Sequence, residues 1–378
     1  MLYGEFKRKA EKYRSFVIFG KAFVGDDVYE ELTKAFPTAS VVYCDNDPVK
    51  HDGKLVISPK EAYERYPDAL FVLCSPHRYP IMREQLKEYG VDEDDTVHYI
   101  PVRSQARFDI ERMQRKVAPM KKIQFEVHVA EHCNLNCKYC SHYSNIAEES
   151  FMDIGDYEKD VNRLSELFGG EADHIFLLGG EPLLNKEINE FMTISRKGFP
   201  ETSLVVYTNG ILLDQMPKSF YETCRRTNST ILITKYNINP EVYVRAEERC
   251  RAEGVSFDYA WGSEMYRFMN HYSLDLEGKQ DPTEMFLHCD PANMCITLRD
   301  HKLYTCVVAA NIEHFNHYFD KHLELTEDDG IDIFKAKSGQ ELLDFFARPI
   351  PFCRYCNVYK RTHGNEWGIT NRTIDEWT

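Results

Sequence analysis

Residues 133–140 have the sequence Cys133-Asn134-Leu135-Asn136-Cys137-Lys138-Tyr139-Cys140, in which three cysteines follow a C-x-x-x-C-x-x-C spacing. Three thiolates can hold one four-iron cluster and leave its fourth iron open to another ligand, whereas clusters held by four cysteines carry electrons. A zinc loop is the alternative, but zinc knuckles use four ligands and usually pair C-x-x-C with a second such hook. The spacing therefore favours a cluster with an open iron, which is a place for chemistry.

Two later segments each join a predicted strand to a short polar loop. A buried strand over residues 174–178 runs into Gly179-Gly180-Glu181-Pro182, and a strand over residues 203–207 ends in Thr208-Asn209-Gly210. Either segment alone would be an ordinary strand-to-loop turn. Two glycines also let the backbone approach a ligand closely. In this order behind the cysteine loop, the segments indicate a ligand site at the strand ends.

Together the three motifs resemble the signature of the radical S-adenosylmethionine (SAM) enzymes. The resemblance implies that a [4Fe-4S] cluster on Cys133, Cys137 and Cys140 binds SAM at its open iron, and that a flavodoxin or ferredoxin supplies an electron. Cleavage of SAM then yields a 5′-deoxyadenosyl radical, which takes a hydrogen atom from the substrate. The other cofactor-binding residues implied by the resemblance are Tyr139, Gly179, Gly180, Glu181, Pro182, Thr208 and Asn209.

Composition narrows the class of protein. The 378 residues are enough for two or three domains, and the formal net charge of −15 argues against a nucleic-acid substrate. No apolar run approaches the length of a membrane span, and the first nine residues lack the apolar core of a signal peptide. We therefore expect a cytoplasmic enzyme without a membrane partner. In a reducing compartment, twelve cysteines indicate metal binding rather than disulfides.

Residues 1–103 are predicted to form a Rossmann-like domain, because short apolar strands near residues 16, 41 and 70 alternate with helical patterns. Gly20, Gly25 and Asp45 are candidate nucleotide-binding residues, since they follow the first two strands. The segment 20–25 lacks the central glycine of G-x-G-x-x-G, which leaves a scaffold or docking domain as the alternative. The domain resembles those that precede acyltransferase domains in sugar-nucleotide pathways.

A helical linker over residues 104–120 is predicted to lead into the second block. Residues 121–285 begin with a strand in which Ile123, Phe125, Val127 and Val129 alternate with polar residues, and βα units follow. Repeated βα units imply a barrel with its site at the carboxyl ends of the strands. The fold class is thus α/β, with a Rossmann-like parallel sheet, a partial (β/α)6 TIM-type radical SAM barrel and a small α+β cysteine-rich domain.

Residues 286–378 hold five further cysteines, and a hairpin is predicted through residues 302–305. The block resembles the Twitch/SPASM-type extensions of the family, which implies an auxiliary [4Fe-4S] cluster. His301 stands where that pattern usually has a turn glycine, although histidine can adopt a left-handed turn. A structural zinc site is the alternative. The implied ligands are Cys289, Cys306, Cys353 and Cys356, with Cys295 as an alternative to Cys289.

Five cysteines for four ligand positions leave one over, and we predict that Cys295 is the one left over. A thiol near the substrate can return a hydrogen atom to a carbon radical, whereas a buried spare thiol or a ligand role is the alternative. The remaining cysteines are predicted to be core residues, and the fourteen histidines show no metal-binding spacing. A second electron passing to the auxiliary cluster would give dehydrogenation, and a returned hydrogen atom would give epimerisation.

The domain order suggests a small-molecule substrate, namely a sugar or nucleotide-activated sugar in polysaccharide or natural-product biosynthesis. A maturase of ribosomally made peptides is the first alternative, but residues 14–101 do not resemble the winged-helix domain that such enzymes usually carry. An iron–sulfur redox sensor or electron carrier is the second. A sensor would not need the Gly-Gly-Glu-Pro segment.

Overall fold

The computed structural model describes residues 9–74, 79–98, 122–260, 262, 265–289 and 291–378. The chain divides into two compact units, Met1–Val117 and Ala118–Thr378. The predicted linker helix at 104–120 lies outside the described residues. Among those residues, no helix combines the length and apolar composition that crossing a bilayer requires.

The first unit contains a five-stranded parallel sheet in the order β3-β2-β1-β4-β5. Its strands are β1 (Ser15–Phe19), β2 (Ser40–Cys44), β3 (Val56–Ile57), β4 (Leu70–Leu73) and β5 (Thr96–His98). Its helices are α1 (Phe23–Ala35), α2 (Pro59–Arg65) and α3 (Tyr79–Glu88). The predicted parallel sheet is therefore present, whereas its Rossmann-like character stays a prediction.

The sheet of the first unit is buried on both faces. Phe16 and Ile18 belong to one apolar cluster, while Val17 and Phe19 belong to another. Because side chains alternate along a strand, continuous apolar runs are what a sheet covered on both faces requires. The composition of β1 thus explains its central position.

The second unit contains an eight-stranded sheet in the order β10-β9-β8-β7-β6-β12-β13-β14 and a separate pair, β11 with β15. The strands are β6 (Gln124–Ala130), β7 (His174–Gly179), β8 (Ser203–Thr208), β9 (Ser229–Ile233), β10 (Phe257–Tyr259), β11 (Met269–His271), β12 (Thr297–Arg299), β13 (Lys302–Tyr304), β14 (Gly330–Asp332) and β15 (Thr362–Asn365). The helices are α4 (Ile154–Phe168), α5 (Ile188–Gly198), α6 (Lys218–Arg226), α7 (Glu241–Ala252), α8 (Pro282–Leu287), α9 (Val307–Ala310), α10 (Ile312–Phe319) and α11 (Gly339–Phe345).

Strands β6 to β10 are parallel and follow one another in chain order, with a helix between each successive pair. The helix α4 begins after Asp153, whose side chain accepts the N–H of Asp156, and ends at Gly169 in a left-handed conformation. It lies beside α5, where Tyr157 Oη and Ser195 Oγ are 2.6 Å apart. The βα pattern predicted from the sequence is therefore observed, and the six-unit barrel stays a prediction.

The strand β6 presents two chemically different faces. Phe125, Val127 and Val129 belong to the apolar core of the second unit. Glu126 and His128 alternate with them and are also buried. Since alternate residues of a strand point to opposite sides, one face of β6 is apolar and the other carries ionisable groups.

The C-terminal block joins the same sheet beside β6. Thr297 of β12 pairs in parallel with Glu126, and β12 forms an antiparallel hairpin with β13. Asp300 and His301 turn this hairpin with positive φ angles of 48° and 62°. His301 Nδ1 also lies 2.6 Å from Asp160 Oδ1. The predicted hairpin is confirmed, with histidine in the left-handed turn position.

Candidate active site

The three cysteines of residues 133–140 line one cavity of about 310 Å³ at the carboxyl ends of β6 to β9. The loop follows directly after β6, and Tyr139 within it adopts a left-handed conformation with φ of 62°. Gly179 and Gly180 after β7 and residues 208–209 at the end of β8 line the same cavity. All three sequence motifs therefore converge on one space.

The thiols of this loop are surrounded by N–H donors. Trp367 Nε1 lies 3.0 Å from the sulfur of Cys137, and the N–H of Leu135 lies 3.3 Å from that of Cys133. Burial raises the pKa of Cys137 to about 12 and raises those of Cys133 and Cys140 as well. A bound metal deprotonates a coordinating thiol, and N–H donors then stabilise the thiolate.

The donor chemistry of this loop fits a metal cluster. Three sulfurs share one cavity, N–H groups point at them, and the cavity extends beyond them toward the glycine motif. A cluster on these cysteines would have its remaining side toward that cavity. The residues that would hold it are Cys133, Cys137 and Cys140.

Gly179 and Gly180 allow the end of β7 to pass close to the backbone that leads into the cysteine loop. A Cβ atom on Gly179 would lie 2.1 Å from the carbonyl oxygen of Ala130, and one on Gly180 would lie 2.0 Å from that of His132. No side chain can be accommodated at such distances. The glycines are therefore required by backbone packing, in addition to lining the cavity.

Glu181 connects the second motif to the third. Its fully buried carboxylate accepts the hydroxyl of Thr208 at 2.6 Å, the N–H of Asn209 at 2.9 Å and the N–H of Leu183 at 3.1 Å. Burial raises its pKa to about 7, although these hydrogen bonds oppose the rise. Pro182 is also buried and begins a short helical turn. The binding of SAM by this segment stays a prediction.

The third motif reaches the cysteine loop directly. Asn209 Nδ2 donates to Asn134 Oδ1 at 2.7 Å and lies 3.8 Å from the sulfur of Cys133. Thr208 is buried beside it, with its hydroxyl on Glu181. These contacts hold the end of β8 against the loop.

The cavity continues beyond the three motifs along the inward faces of the strands. Its far wall includes Glu126, Tyr207, Arg267, Tyr272 and Cys295. The cavity thus combines aromatic rings, both signs of charge and a thiol.

The four cysteines proposed as auxiliary ligands lie near one another. Burial raises the pKa of Cys306 and of Cys353, and the neighbouring thiols Cys356 and Cys289 add to both rises. Cys289 packs with Cys353 in a small apolar cluster, and Arg361 Nη2 lies 3.3 Å from its sulfur. The ligand assignment itself stays a prediction.

Cys295 occupies a different position. It lines the cavity that holds Cys133, Cys137 and Cys140, and burial together with the nearby carboxyl of Glu126 raises its pKa well above the usual value. Cys289 contributes to the raised pKa of Cys306, Cys353 and Cys356, and Cys295 packs against the same apolar core as those three thiols, so the choice between Cys289 and Cys295 stays a prediction. The other single cysteines, predicted to be core residues, are buried: Cys44, Cys74, Cys224 and Cys250.

The candidate nucleotide-binding residues of the first unit have partners within that unit. Asp45 accepts the N–H of Lys21 at 2.7 Å and the ammonium of Lys50 at 3.1 Å. A Cβ on Gly25 would lie 2.1 Å from the carbonyl oxygen of Gly20, so that glycine is needed to close the turn after β1. These contacts give all three residues a structural role, and nucleotide binding by them stays a prediction.

The segment 367–377 packs against the cysteine loop. The N–H of Lys138 donates to the carbonyl of Gly368 at 2.8 Å, and the N–H of Thr370 donates to that of Asn136 at 2.9 Å. Trp377 Nε1 donates to the carbonyl of Cys140 at 3.0 Å, and its ring is buried in the core. The loop is therefore held by a segment far away in the sequence, which no local motif indicated.

Histidine residues were assigned no role from the sequence, but two of them meet a carboxylate beside the cavity. Donor atoms of Glu126, His128 and His142 all lie within 4.8 Å of one another. The sequence pattern that could have indicated this group is the alternation along β6, which places Glu126 and His128 on one face. The position of His142, in the turn after the cysteines, had no comparable signal.

Residues 127–258 match the family model described as "Radical SAM superfamily". This segment belongs to the radical SAM superfamily. Members use a [4Fe-4S] cluster and SAM, in agreement with the cofactors predicted from the cysteine motif. The radical SAM segment spans β6 to the middle of β10 and includes all three motifs.

Several proteins are similar to parts of the chain. A GTP 3′,8-cyclase of Nautilia profundicola is 26% identical over 141 residues, which cover 37% of this chain and 42% of that protein. An S-adenosyl-L-methionine-dependent 2-deoxy-scyllo-inosamine dehydrogenase of Niallia circulans is 35% identical over 92 residues, covering 24% of this chain and 36% of that one. The chain thus spans less than half the length of these relatives.

The solved structures that resemble the chain include BtrN in complex with AdoMet and 2-DOIA. That structure has 18% sequence identity and a TM-score of 0.38, and the alignment covers 64% of this chain and 94% of BtrN.

Proposed function

We propose that this protein is a radical SAM enzyme that removes a hydrogen atom from a C–H bond of a sugar or nucleotide-activated sugar, with dehydrogenation or epimerisation as the net reaction. The observation that carries the proposal is the convergence of Cys133, Cys137 and Cys140 with the glycine and asparagine motifs on one cavity. When bound, the cluster supplies an electron to SAM, and the resulting 5′-deoxyadenosyl radical abstracts the hydrogen atom.

The residues of the cavity position the reactants and limit access of water. The loop thiols hold the cluster, while Asn209 and Glu181 fix the backbone around the SAM position through the contacts described above. A radical reaction needs the target carbon close to the radical and shielded from competing donors. The polar groups of Glu126, Arg267 and Tyr272 suit a substrate with several hydroxyl or amino groups.

The reaction outcome depends on the C-terminal cysteines. Oxidation of an alcohol to a ketone releases a hydrogen atom to the radical, a proton to a base and an electron to an acceptor. A second [4Fe-4S] cluster on Cys289, Cys306, Cys353 and Cys356 would be that acceptor. If Cys295 instead returns a hydrogen atom to the substrate radical, the product is an epimer, and the thiyl radical left on Cys295 would take a proton and one electron, supplied by the flavodoxin or ferredoxin through the second cluster, to become a thiol again. Its position in the cavity wall supports access to the substrate.

The spacing of the thiols supports a cluster over zinc at both cysteine sites. Four thiolates on one zinc at about 2.3 Å in tetrahedral geometry lie about 3.8 Å from one another. Among the described residues, three potential metal-binding atoms lie within 4.8 Å of one another at Glu126, His128 and His142, and this group contains no cysteine. No three described cysteine sulfurs thus lie as close to one another as the ligands of one zinc would, which favours a cluster.

The relatives support the reaction type more than the substrate. The Niallia circulans dehydrogenase is named for the oxidation of an aminocyclitol, and the cyclases are named for GTP. A peptide maturase and an iron–sulfur sensor remain the alternatives. A flavodoxin or ferredoxin is the proposed electron donor.

The first test is anaerobic formation of 5′-deoxyadenosine from SAM under strong reduction. We expect formation by the wild-type protein and none by a variant with Cys133, Cys137 and Cys140 all changed to Ala. Retention of about four irons by that variant would establish an auxiliary cluster. Absence of 5′-deoxyadenosine from a cluster-loaded wild type would contradict the proposal and favour a sensor.

A further inference from the structure

Glu126, His128 and His142 form a compact group of potential metal ligands beside the substrate cavity. Glu126 and His128 are alternate residues of β6 and point to the same face, and His142 lies in the turn that follows the cysteine loop. One donor atom from each residue lies within 4.8 Å of the donors from the other two. Two imidazoles and a carboxylate are the ligand set of catalytic zinc and non-haem iron sites.

The two histidines are already close to a chelating arrangement. Nε2 of His128 and Nδ1 of His142 lie 2.8 Å apart, and their rings are inclined by 17°. Two nitrogens bound to one zinc at about 2.0–2.1 Å would be about 3.3 Å apart in tetrahedral geometry. If the two nitrogens moved apart by about half an ångström, their separation would match that of two histidine ligands on one zinc.

Further residues support two of the three ligands, Glu126 and His128. Thr297 Oγ1 donates to Glu126 Oε1 at 2.9 Å. On the far side of His128, Nδ1 faces Glu131 Oε2 at 3.6 Å, which is longer than a hydrogen bond but needs only a small movement to become one. Carboxylates behind metal-bound histidines orient the ring and increase its basicity.

Glu131 is itself firmly held. Arg299 Nη1 and His314 Nε2 contact its Oε2 at 2.9 Å and 2.8 Å. A carboxylate is therefore fixed on the far side of His128, where metal-bound histidines commonly have one.

The group has access to ligands from the cavity. Glu126 and His142 line the same cavity as the three cluster cysteines, whereas His128 lines a neighbouring cavity of about 370 Å³. Glu126 and His128 are 6% and 3% exposed, so a bound ion would be shielded while its remaining positions faced the substrate. Three protein ligands with open positions are typical of a catalytic rather than a structural metal site.

We propose that Glu126, His128 and His142 bind one divalent transition-metal ion, distinct from the iron–sulfur clusters. Its open positions would take an oxygen or nitrogen of the substrate, and as a Lewis acid the ion would make a bound hydroxyl easier to deprotonate. That role rests on the proposed function, because it assumes a hydroxylated substrate in the cavity. The binding of the ion itself does not.

The test uses zinc as the probe, because zinc is redox-inert and can be counted separately from iron. Full-length protein with reconstituted clusters is titrated anaerobically with Zn²⁺, and bound zinc is measured after gel filtration. We expect one zinc per chain more than before the titration. Each of E126Q, H128N and H142N should bind this zinc at least tenfold more weakly. The matched control is H317N, since His317 also contacts a carboxylate, that of Glu148, but is exposed at the surface.

X-ray absorption at the zinc edge tests the site in the wild type without relying on any variant. Nitrogen and oxygen neighbours at about 2.0–2.1 Å are expected, rather than sulfur at about 2.3 Å. E131Q leaves the three ligands unchanged and is expected to bind zinc about 10 to 100-fold more weakly.

Two results would overturn the proposal. One is that wild type and H317N bind no more zinc than E126Q, H128N and H142N do, which would leave the His128–His142 contact as a simple N–H···N hydrogen bond. The other is a sulfur-ligated zinc retained by all three variants. Formation of 5′-deoxyadenosine is measured on the same preparations, so that failure of radical chemistry is distinguishable from failure of zinc binding.

Discussion

Trp367 Nε1 lies 3.0 Å from the sulfur of Cys137, a residue 230 positions earlier in the chain. Hydrogen bonds to ligand sulfurs are one of the factors that set the potential of an iron–sulfur cluster. Because an N–H donor stabilises the more negative, reduced form, it makes a cluster easier to reduce. Through this indole the C-terminal segment would influence the reduction of the cluster, which is the step that begins the reaction.

Replacement of Trp367 with Phe removes this donor and keeps an aromatic ring. We expect the midpoint potential of the cluster on residues 133–140 to become more negative, as measured by redox titration followed by electron paramagnetic resonance. W377F is the matched control, because Trp377 donates to the carbonyl of Cys140 and not to a sulfur. Equal potentials in wild type and W367F would show that this N–H does not act on the cluster.

Gly180→Ala should disrupt the backbone around the cysteine loop. The added Cβ would lie 2.0 Å from the carbonyl oxygen of His132, so the loop must move, at a cost of about 3 kcal/mol. We expect a lower free energy of unfolding in denaturant titrations and a reduced iron content after reconstitution. Gly368→Ala is the control, since a Cβ there meets nothing within 4 Å. Similar iron contents in both variants would argue against this backbone constraint.

The buried carboxyl of Glu181 should make stability depend on pH. Its pKa is raised from 4.5 to about 7 because it is buried, so the folded state favours the protonated form. The resulting stabilisation is fully present below pH 4.5 and is lost as the pH rises to about 7. At 1.36 kcal/mol per pKa unit, the change is about 3 kcal/mol at most.

Glu181→Gln tests this dependence because it cannot ionise. The difference in unfolding free energy between wild type and E181Q should change between pH 4.5 and 7, with wild type losing stability relative to the variant. Glu187→Gln, at an exposed position, should show a constant difference over the same range. A constant difference for E181Q as well would rule out titration of Glu181 in this window.

Single cysteine variants should separate the two candidates for the auxiliary site. We expect Cys289→Ala to lose about four irons per chain and Cys295→Ala to retain them, because Cys289 contributes to the raised pKa of Cys306, Cys353 and Cys356, whereas Cys295 lines the cavity of the cysteine loop. Iron analysis after anaerobic reconstitution is the measurement. The reverse pattern would make Cys295 the ligand, and unchanged product from C295A would exclude it as hydrogen-atom donor.

The sequence was sufficient to predict those parts of the fold and of the site that a local pattern of residues determines. Apolar runs and alternation predicted β1, β6, β7 and β8, and the spacing of the cysteines indicated the superfamily to which residues 127–258 belong. The turn at His301 was also predictable, since His301 stands where the Twitch/SPASM-type pattern has a turn glycine and histidine can adopt a positive φ. In each of these cases the determining residues are neighbours in the chain.

Contacts between distant residues could not be predicted in this way. The hydrogen bond from Trp367 to Cys137 and the approach of His142 to His128 depend on how loops pack in three dimensions. A single sequence contains no periodicity that would indicate either. The contact of Glu181 with SAM stays a prediction, and its carboxylate also joins two motifs of the protein, because two backbone N–H groups and the hydroxyl of Thr208 donate to it.

The pairing of residues 367–377 with the cysteine loop also has a consequence for biosynthesis. The ribosome must add 230 residues after Cys137 before Trp367 exists. At about 5–20 residues per second this interval lasts roughly 10 to 50 s. Throughout it the three thiols lack the segment that later packs against their loop, so we expect a cluster to reach them most easily before residues 367–377 are in place.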